Sequence, residues 1–315
     1  MSVGAKIATV TLNPAIDQTI QIPNFAMGEV NRVASEQSDA GGKGVNVASF
    51  LAQFGHKIAV TGFLGKDNAH PFEQLFGRLD IDDHFVRLAG ATRVNIKIVD
   101  PDKQEVTDIN APGLTNCAEG LAALEEAIDQ LAANGTEQFV LAGSLPAGLP
   151  QTIYRDLINH LKGLGKEVIL DASGPSFAAA LDAGPAIIKP NVDELSELVG
   201  RKLKSHEEII TAARTVTGGR VGLIVVSMGA DGALFITEED VLHAMPKGAV
   251  VKSTVGAGDA MVAGILHSRS EGLPLADLAR LATGFSLGAL GEIGPHLPAQ
   301  EVIKAFAADV VIEKL

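Results

Sequence analysis

Short apolar runs alternate with longer amphipathic stretches along the chain from about Val60 onward. Continuous apolar character, without alternation, is typical of strands that are covered on both faces. Five such runs are predicted as buried strands, at Ile58–Val60, Phe139–Ala142, Val168–Asp171, Ala186–Lys189 and Leu223–Val226. Amphipathic stretches between them predict helices, at Glu119–Ala132, Ile153–Leu164 and Glu207–Val216. The alternation predicts an α/β fold with a mostly parallel sheet, helices on both faces and a site at the carboxyl ends of the strands.

Two segments depart from this alternation. Thr19–Val33 and Arg93–Asn110 show the period of two that is typical of half-buried strands. We expect them to form a small β-sheet that covers a site as a lid, contributed by about residues 12–36 and 92–110. No composition break, repeat or low-complexity tract divides the chain, so a single domain over residues 1–315 is predicted.

Composition and charge narrow the classes of function. Of the 315 residues, 46% are hydrophobic and 20% charged, which is ample for a buried core. The formal net charge of −13 disfavours non-specific binding to nucleic acid or to anionic membranes. Cys117 is the only cysteine, so an internal disulfide is excluded. No apolar stretch approaches the ~18–20 residues of a membrane span, and no signal peptide is recognisable, so a soluble cytoplasmic protein is expected.

The strongest local signal is the segment Ser253–Ala260, with the sequence STVGAGDA, which is followed by helix-compatible residues. Glycines before a helix let backbone N–H groups converge at its N-terminus, where negative charge is favourable. Such an anion hole suits the charge that builds up on a transferring phosphoryl group. Asp259 lies at the start of the same helix, where its carboxylate can accept the proton of a substrate hydroxyl. The alternative is a Gly-rich turn with Asp259 as an ordinary helix cap.

A second glycine cluster, Ala40–Ala48, also opens a predicted helix. Gly41 and Gly42 allow a ligand to approach the backbone closely, and Asn46 can bind a sugar hydroxyl. Lys43 can meet a phosphate as a point charge. A helix entry that needs flexible residues is the structural alternative.

Neither cluster matches the common nucleotide-binding motifs. No Gly-Lys-Ser/Thr sequence ends the segment before Asp259, so it is not a P-loop. Val47 stands where a dinucleotide-binding fingerprint has its third glycine, and Val33–Asp39 is too polar for the buried strand that precedes such a fingerprint. A nicotinamide-dependent oxidoreductase is therefore a weaker hypothesis.

Three smaller signals follow predicted strands. Asp17 comes after the first strand and can bind paired hydroxyls of a sugar. Lys189–Asn191 ends another strand, and Asn191 with Glu194 can organise water around Mg²⁺, which takes few protein ligands. Ser227–Gly232 turns between two apolar strands and can hold nucleotide phosphates through backbone amides. Each signal alone has a structural explanation, but all three lie at strand ends where a site is expected.

Together these residues resemble the PfkB-type carbohydrate kinases of the ribokinase superfamily, from Thr11 to about Gly294. The cluster Gly41–Asn46 is similar to the family's N-terminal signature. Thr254–Asp259 is similar to its C-terminal signature, in which the aspartate is the catalytic base. The resemblance implies a ribokinase-like three-layer α/β fold with a β-sheet lid, ATP as co-substrate, Mg²⁺ as cofactor and a homodimer that forms through the lids.

Within the family, Thr11–Asp17 and Gly143–Pro146 are similar to the branch that acts on ketohexose phosphates. This implies the ATP-dependent conversion of fructose 1-phosphate to fructose 1,6-bisphosphate. Tagatose 6-phosphate and fructose 6-phosphate remain alternative acceptors, and a non-catalytic sugar-phosphate sensor is a more distant alternative. Four cations on or beside the lid and the first glycine cluster are expected to hold the substrate phosphate: Arg32, Lys43, Arg93 and Lys97.

The residue patterns and the resemblance together assign site residues. Catalysis is expected from Asp259, Gly256, Ala257 and Gly258. Substrate binding is expected from Asp17, Gly41, Gly42, Lys43, Asn46, Arg93, Ser144 and Asp259. ATP binding is expected from Lys189, Asn191, Ser227, Met228, Gly229, Ala230, Asp231, Gly232, Gly258 and Asp259. Mg²⁺ is expected at Glu194 and Asn191, through water.

Overall fold

The computed structural model of the chain describes residues 6–248, 256–292 and 294–315. The strands in these residues are β1 (Ile7–Thr11), β2 (Ala15–Gln21), β3 (Ser35–Gly41), β4 (Ile58–Gly65), β5 (Asp82–Asp83), β6 (Val86–Leu88), β7 (Arg93–Asp100), β8 (Glu105–Ile109), β9 (Gln138–Ala142), β10 (Glu167–Asp171), β11 (Ile187–Ile188), β12 (Leu223–Ser227), β13 (Ala233–Ile236), β14 (Val241–Met245) and β15 (Val311–Lys314). The α-helices are α1 (Lys43–Gln53), α2 (His70–Leu79), α3 (Leu121–Ala133), α4 (Ile153–Gly163), α5 (Gly174–Leu181), α6 (Val192–Val199), α7 (His206–Thr217), α8 (Ala257–Ser270), α9 (Leu275–Leu290) and α10 (Gln300–Asp309).

A large sheet forms the middle layer, in the order β15-β14-β13-β12-β11-β10-β9-β1-β4-β5, with β6 beside β4. Its strands from β12 to β5 pair in parallel, while β13, β14 and β15 add antiparallel pairs at one edge. The five apolar runs singled out in the sequence all contribute strands to this sheet. The prediction of a mostly parallel sheet is therefore confirmed.

Neighbouring residues of one strand pack into different cores, because successive side chains point to opposite faces of a sheet. In β4, Ile58 and Val60 join the core under α1, α2, α8, α9 and α10. Ala59, between them, joins the core under α3, α4, α5, α6 and α7. The three-layer arrangement, with helices on both faces, is thus confirmed. None of the helices within the described residues has the length and apolar character that a membrane crossing requires.

A four-stranded sheet in the order β3-β2-β7-β8 stands apart from the large one. Its two inner strands pair in parallel, with Asp17 opposite Asn95, and both outer strands are antiparallel to their neighbours. The segment 92–110 contains two of its strands, as predicted. The strand pattern expected over Thr19–Val33 was wrong in part: residues 22–34 form a loop, and the partner strand of β2 is β3, which extends to Gly41. The mostly exposed residues of β3 explain why its polar sequence is compatible with a strand here.

Candidate active site

The two glycine clusters of the sequence meet at a buried hydrogen bond between two helix starts. Asn46 lies in the first turn of α1, and Asp259 lies in the first turn of α8. The Nδ2 atom of Asn46 donates to Oδ2 of Asp259 over 2.7 Å, and both side chains are buried. The Oδ1 atom of Asn46 is buried and has no hydrogen-bond partner among the described residues. The site thus contains a buried carboxylate beside an amide oxygen that has no partner among the described residues.

Helix α8 begins with glycines that leave room for an anion. Gly256 precedes the helix with a φ of 78°, a conformation that favours glycine. The first N–H groups of a helix have no acceptors within it, so those of Ala257, Gly258 and Asp259 are available to a ligand. No side chain among the described residues caps the helix, whose N-cap residue is Gly256. Asp259 is therefore not the ordinary helix cap of the alternative interpretation. Ser253, Thr254 and Val255 lie outside the described residues.

A second acidic residue, Asp171, lies at the centre of the site, and no sequence motif had marked it. Its buried carboxylate lies 2.9 Å from Nζ of Lys43 through Oδ1, and 3.5 Å from Nζ of Lys189 through Oδ2. In the sequence, Asp171 is marked only as the end of an apolar run. The signal that could have found it is its place at the carboxyl end of a buried parallel strand, where ligands bind.

The charges of this centre act on one another. Burial, and then repulsion by Asp171, raise the pKa of Asp259 to about 6, although Lys43, Asn46 and Lys189 oppose the shift. Burial also opposes the ionisation of Asp171, but Lys189 and Lys43 outweigh it and hold its pKa below the ordinary value. Asp259 is thus a carboxylate at neutral pH with more proton affinity than an exposed aspartate, which suits a general base.

One side of the site is formed by the small sheet and the first glycine cluster, and it is called the sugar side here because Asp17 is expected to bind sugar hydroxyls. Asp17 accepts a hydrogen bond from Nδ2 of Asn95 at 3.0 Å. A Cβ atom on Gly41 would lie 2.4 Å from Oδ2 of Asp17, so a side chain there would block that oxygen. Gly42 has a φ of 112°, and a Cβ there would lie 3.0 Å from Cα of Pro14. Gly41 and Gly42 therefore have no room for a side chain unless Asp17 or the backbone of Pro14 moves.

Arg93 holds the loops that border this side. Its guanidinium donates to the carbonyl oxygens of Asn13, Pro14 and Ala111 over 2.9–3.2 Å. The side chain of Asn13 in turn donates to Oγ of Ser144 at 3.2 Å. Arg93 and Ser144 are thus joined through Asn13, which the sequence analysis did not assign. A guanidinium has five N–H donors, so Arg93 retains donors for a phosphate.

The other two predicted cations differ in their surroundings. Lys97 lies in the small sheet on the same face as Asn95 and Asp17, and its Nζ is 2.7 Å from Oδ1 of Asp108. Arg32 is exposed in the loop between β2 and β3. Lys97 therefore lies on the same side of the site as Asp17. Arg32 makes no contact with the residues of that side within the described part of the chain.

A cavity of about 800 Å³ adjoins the start of α8 on the other side. Its wall includes the whole of Ser227–Gly232, together with Asn191, Ala257 and Gly258. The structure therefore brings the predicted ATP-binding turn and the anion hole onto one cavity. Thr283 of α9 also lines it, and its buried hydroxyl has no hydrogen-bond partner among the described residues. No sequence signal marked Thr283, because a threonine within a helix is unremarkable.

Asn191 and Glu194 form the N-terminal cap of α6. Oδ1 of Asn191 accepts from the backbone N–H of Glu194 at 2.7 Å, and Oε2 of Glu194 accepts from that of Asn191 at 2.9 Å. The described part of the chain contains no group of three or more His, Cys, Asp or Glu side chains placed to hold a metal ion. The second carboxylate oxygen of Glu194 is outside the capping box and is available to a water molecule in the shell of Mg²⁺, which takes few protein ligands.

Comparisons with known proteins agree with this geometry. The family model described as "pfkB family carbohydrate kinase" matches residues 10–301. A protein named 1-phosphofructokinase from Rhodobacter capsulatus is 50% identical over 310 residues, which cover 98% of both chains.

Solved structures show the same fold. A possible 1-phosphofructokinase from Thermotoga maritima has a TM-score of 0.88 at 26% identity and is matched over 98% of this chain and 99% of its own. The tetrameric inhibited form of phosphofructokinase-2 from Escherichia coli has a TM-score of 0.85 at 27% identity, covering 96% and 98%. The matched length, the two glycine-rich helix starts and the cavity beside Asp259 together lead to one conclusion: the chain belongs to the pfkB family of carbohydrate kinases, and it is a sugar-phosphate kinase with ATP as co-substrate.

Proposed function

We propose that this kinase transfers the γ-phosphoryl group of ATP to fructose 1-phosphate and releases ADP and fructose 1,6-bisphosphate. The observation that carries the proposal is the identity of 50%, over 98% of both chains, to a protein named 1-phosphofructokinase. The site supplies what the reaction needs: a base, an anion hole and a separate nucleotide cavity.

The sugar lies between the small sheet and the start of α1. Asp17 accepts hydrogen bonds from sugar hydroxyls, and the unpartnered Oδ1 of Asn46 accepts another. The phosphate that the sugar already carries is bound by Arg93 and Lys97. Lys43, whose ammonium group lies 2.9 Å from Asp171 and acts on Asp259, faces the hydroxyl that accepts the phosphoryl group. In a chain of net charge −13, this local positive charge is what makes a sugar phosphate a suitable ligand.

Asp259 performs the proton transfer. Its carboxylate takes the proton of the sugar hydroxyl while the oxygen of that hydroxyl attacks the γ-phosphorus and the bond to ADP breaks. The N–H groups of Ala257 and Gly258 stabilise the charge on the phosphoryl oxygens during the transfer. A pKa of about 6 keeps Asp259 ionised at neutral pH and able to accept the proton.

ATP lies in the cavity lined by Ser227–Gly232, with its terminal phosphate toward the start of α8. Asn191 and Glu194 would hold Mg²⁺ through water, and the ion would supply charge neutralisation on the phosphates. Lys189 sits directly beneath the anion hole, because its Nζ lies 3.0 Å from the position of a Cβ on Gly258.

The small sheet acts as a lid of one kinase domain that spans residues 1–315, and two copies of the chain associate through their lids. Of the ten large hydrophobic residues that are exposed in the described part of the chain, six lie in the lid: Met27, Val30, Val33, Val94, Val106 and Ile109. Exposed apolar residues gathered in this way are typical of an interface between chains.

The substrate is tested by steady-state kinetics on three acceptors. We expect kcat/KM to be at least tenfold higher with fructose 1-phosphate than with tagatose 6-phosphate or fructose 6-phosphate, because one phosphate position should fit the cationic groups. ADP release with each sugar, at saturating ATP and Mg²⁺, measures it. A preference for either 6-phosphate would overturn the assignment of the sugar, and the absence of ADP release with all three would overturn the assignment of the reaction.

A further inference from the structure

Asp171 has no part in the mechanism above, yet it lies at its centre. It is the last residue of β10, and Lys189 directly follows the adjacent parallel strand β11, in which Ile188 is opposite Leu170. This register brings the side chains of Asp171 and Lys189 together. Lys43, the first residue of α1, reaches the same carboxylate from the opposite direction. The carboxylate is completely buried between the two ammonium groups.

The stability of the fold does not account for this arrangement. Burial of a carboxylate costs free energy, and an ion pair in the interior often contributes nothing net to folding. The side chain of Lys43 remains 34% exposed, so it could extend into solvent without a partner. Asp171 instead holds it inward. The buried carboxylate is therefore better explained by a functional role, which is to fix the positions of the two lysine ammonium groups.

Those positions lie on the two sides of the phosphoryl path. Lys189 is beneath Gly258, where the donor phosphate meets the start of α8. Lys43 follows Gly42 at the sugar side, and its charge acts on Asp259. A single carboxylate thus fixes one cation near the donor and one near the acceptor.

We propose that Asp171 is a positioning residue for phosphoryl transfer, which acts by fixing the ammonium groups of Lys43 and Lys189 at the acceptor and donor sides of the reaction. The proposal rests on the proposed kinase function but does not depend on which ketohexose phosphate is the substrate. The buried carboxylate of Asp171 contacts both ammonium groups, so it acts through them. Its negative charge also faces Asp259, so it sets the proton affinity of the base as well as the geometry of the cations.

The test compares the wild type with D171N, K43M and the double variant D171N/K43M, on whichever sugar phosphate the wild type turns over best. We expect D171N to lower kcat by about 100-fold, because displacement of a charged group by about 1 Å has effects of this size. If Asp171 acts in part through Lys43, the loss in the double variant will be at least tenfold smaller than the product of the two single losses. The proposal would be overturned if the loss of kcat in the double variant equalled the product of the two single losses. It would also be overturned if D171N kept the kcat of the wild type.

The pH profile separates positioning from a structural role. Without the charge of Asp171, the acidic limb of kcat, set by Asp259, should move about one unit to lower pH. An unchanged limb would contradict the electrostatic part of the proposal. The control is D182N, which removes an exposed carboxylate paired with Arg220 at 3.1 Å and should leave kcat and the pH profile unchanged.

Folding failure of D171N would not end the test. That variant leaves two ammonium groups beside a neutral amide, whereas D171N/K43M removes one of them and is easier to fold. Comparison of D171N/K43M with K43M then measures Asp171 in the absence of Lys43. A further loss of less than about tenfold supports action in part through Lys43, because Lys189 and Asp259 still feel the loss of Asp171, and a greater loss overturns it. An inactive wild type would instead reject the proposed function itself.

Discussion

Asp259 and Asp277 occupy the same position, the third residue, in the helices α8 and α9. Asp277 is exposed and pairs with Arg280 at 2.9 Å, so it is an ordinary surface carboxylate near a helix N-terminus. Asp259 is buried, accepts a hydrogen bond from Asn46 and faces the charge of Asp171. The difference in chemistry therefore comes from the surroundings and not from the position in the helix.

Replacement of Asp259 tests its role as the base. D259N should lower kcat by about 10²–10⁴-fold, the usual range for loss of a general base. The amide keeps an oxygen that can accept from Nδ2 of Asn46, so folding and ATP binding should be largely retained. Turnover, ATP affinity by calorimetry and the thermal midpoint are the measurements.

The matched control for this substitution is D277N. If a carboxylate in the first turn mattered only through the helix dipole, the two substitutions would have similar effects on stability and neither would reduce turnover. A D259N enzyme that retains kcat within threefold of the wild type would remove Asp259 from the role of base.

At this scale, the sequence was informative where chemistry coincides with an unusual local pattern. Asn46 and Asp259 were predicted because glycine-rich helix starts mark them. Asp171 ends a run of apolar residues, and its partner Lys43 is 128 residues away, so only the folded chain reveals the ion pair. Thr283 was missed because a threonine inside a helix is unremarkable, and only the folded chain shows that its buried hydroxyl lines the cavity.

The helices α1 and α8 are joined at both ends. Their first turns meet at the bond between Asn46 and Asp259, which lies in the active site. Near their last turns, Nε2 of His56 and Nδ1 of His267 are 2.8 Å apart. The two rings also form an edge-to-face pair with centroids 5.1 Å apart. The histidine pair thus fastens the ends of the two helices that lie farthest from the base.

This pair makes stability dependent on pH. Burial lowers the pKa of both imidazoles, opposed by Glu271, and for His267 the neighbouring His56 and Lys304 add to the shift. The unfolded chain therefore binds more protons below about pH 6.5, so the contribution of the pair is complete above that value and is lost as pH falls toward the folded-state pKa values.

Substitution of His56 tests this account. H56Q should lower the free energy of unfolding by about 1 kcal/mol at neutral pH through the lost hydrogen bond. Between about pH 7 and 5.5 its stability should decline less than that of the wild type, because one of the groups that resists protonation in the folded state is gone. Urea unfolding at several pH values measures both. If the free energy of unfolding fell equally with pH in H56Q and in the wild type, this account would be contradicted. Asp39 raises the pKa of His296, but that effect is the same in both proteins.

Elements were predictable from sequence where burial imposes a single pattern. The strands of the parallel sheet are covered on both faces, so their continuous apolar runs identified them. The strand β3 was missed, because most of its residues are exposed and its partner β2 supplies the hydrogen bonds. Because the residues of β3 are mostly exposed and polar, the strand pattern was placed at Thr19–Val33 and not at β3.

The whole molecule has an uneven apolar surface. Val94, Ile96 and Ile109 lie on one face of the lid, because Ile96 is opposite Ile109 and Val94 is two residues from it in β7. Asp17 and Asn95 lie on the other face, where we propose that the sugar binds. One side of the small sheet thus carries the proposed substrate groups and the other carries exposed hydrophobic side chains, as expected of a lid that also forms an interface.

The lid interface is tested by placing a charge on its apolar face. I109D should convert a dimer of twice 32.6 kDa into a monomer, since an unpaired carboxylate at an interface core is strongly unfavourable. Loss of the partner should also raise KM for the sugar phosphate, because the lid would no longer be held over the site. The matched control is V302D, which changes an exposed valine of α10, outside the lid, and should leave the mass unchanged. Light scattering coupled to gel filtration reports the mass and distinguishes a dimer from a tetramer such as the inhibited form of the Escherichia coli relative. If I109D keeps the wild-type mass, the chains associate elsewhere, and the exposed residues of the lid need another explanation.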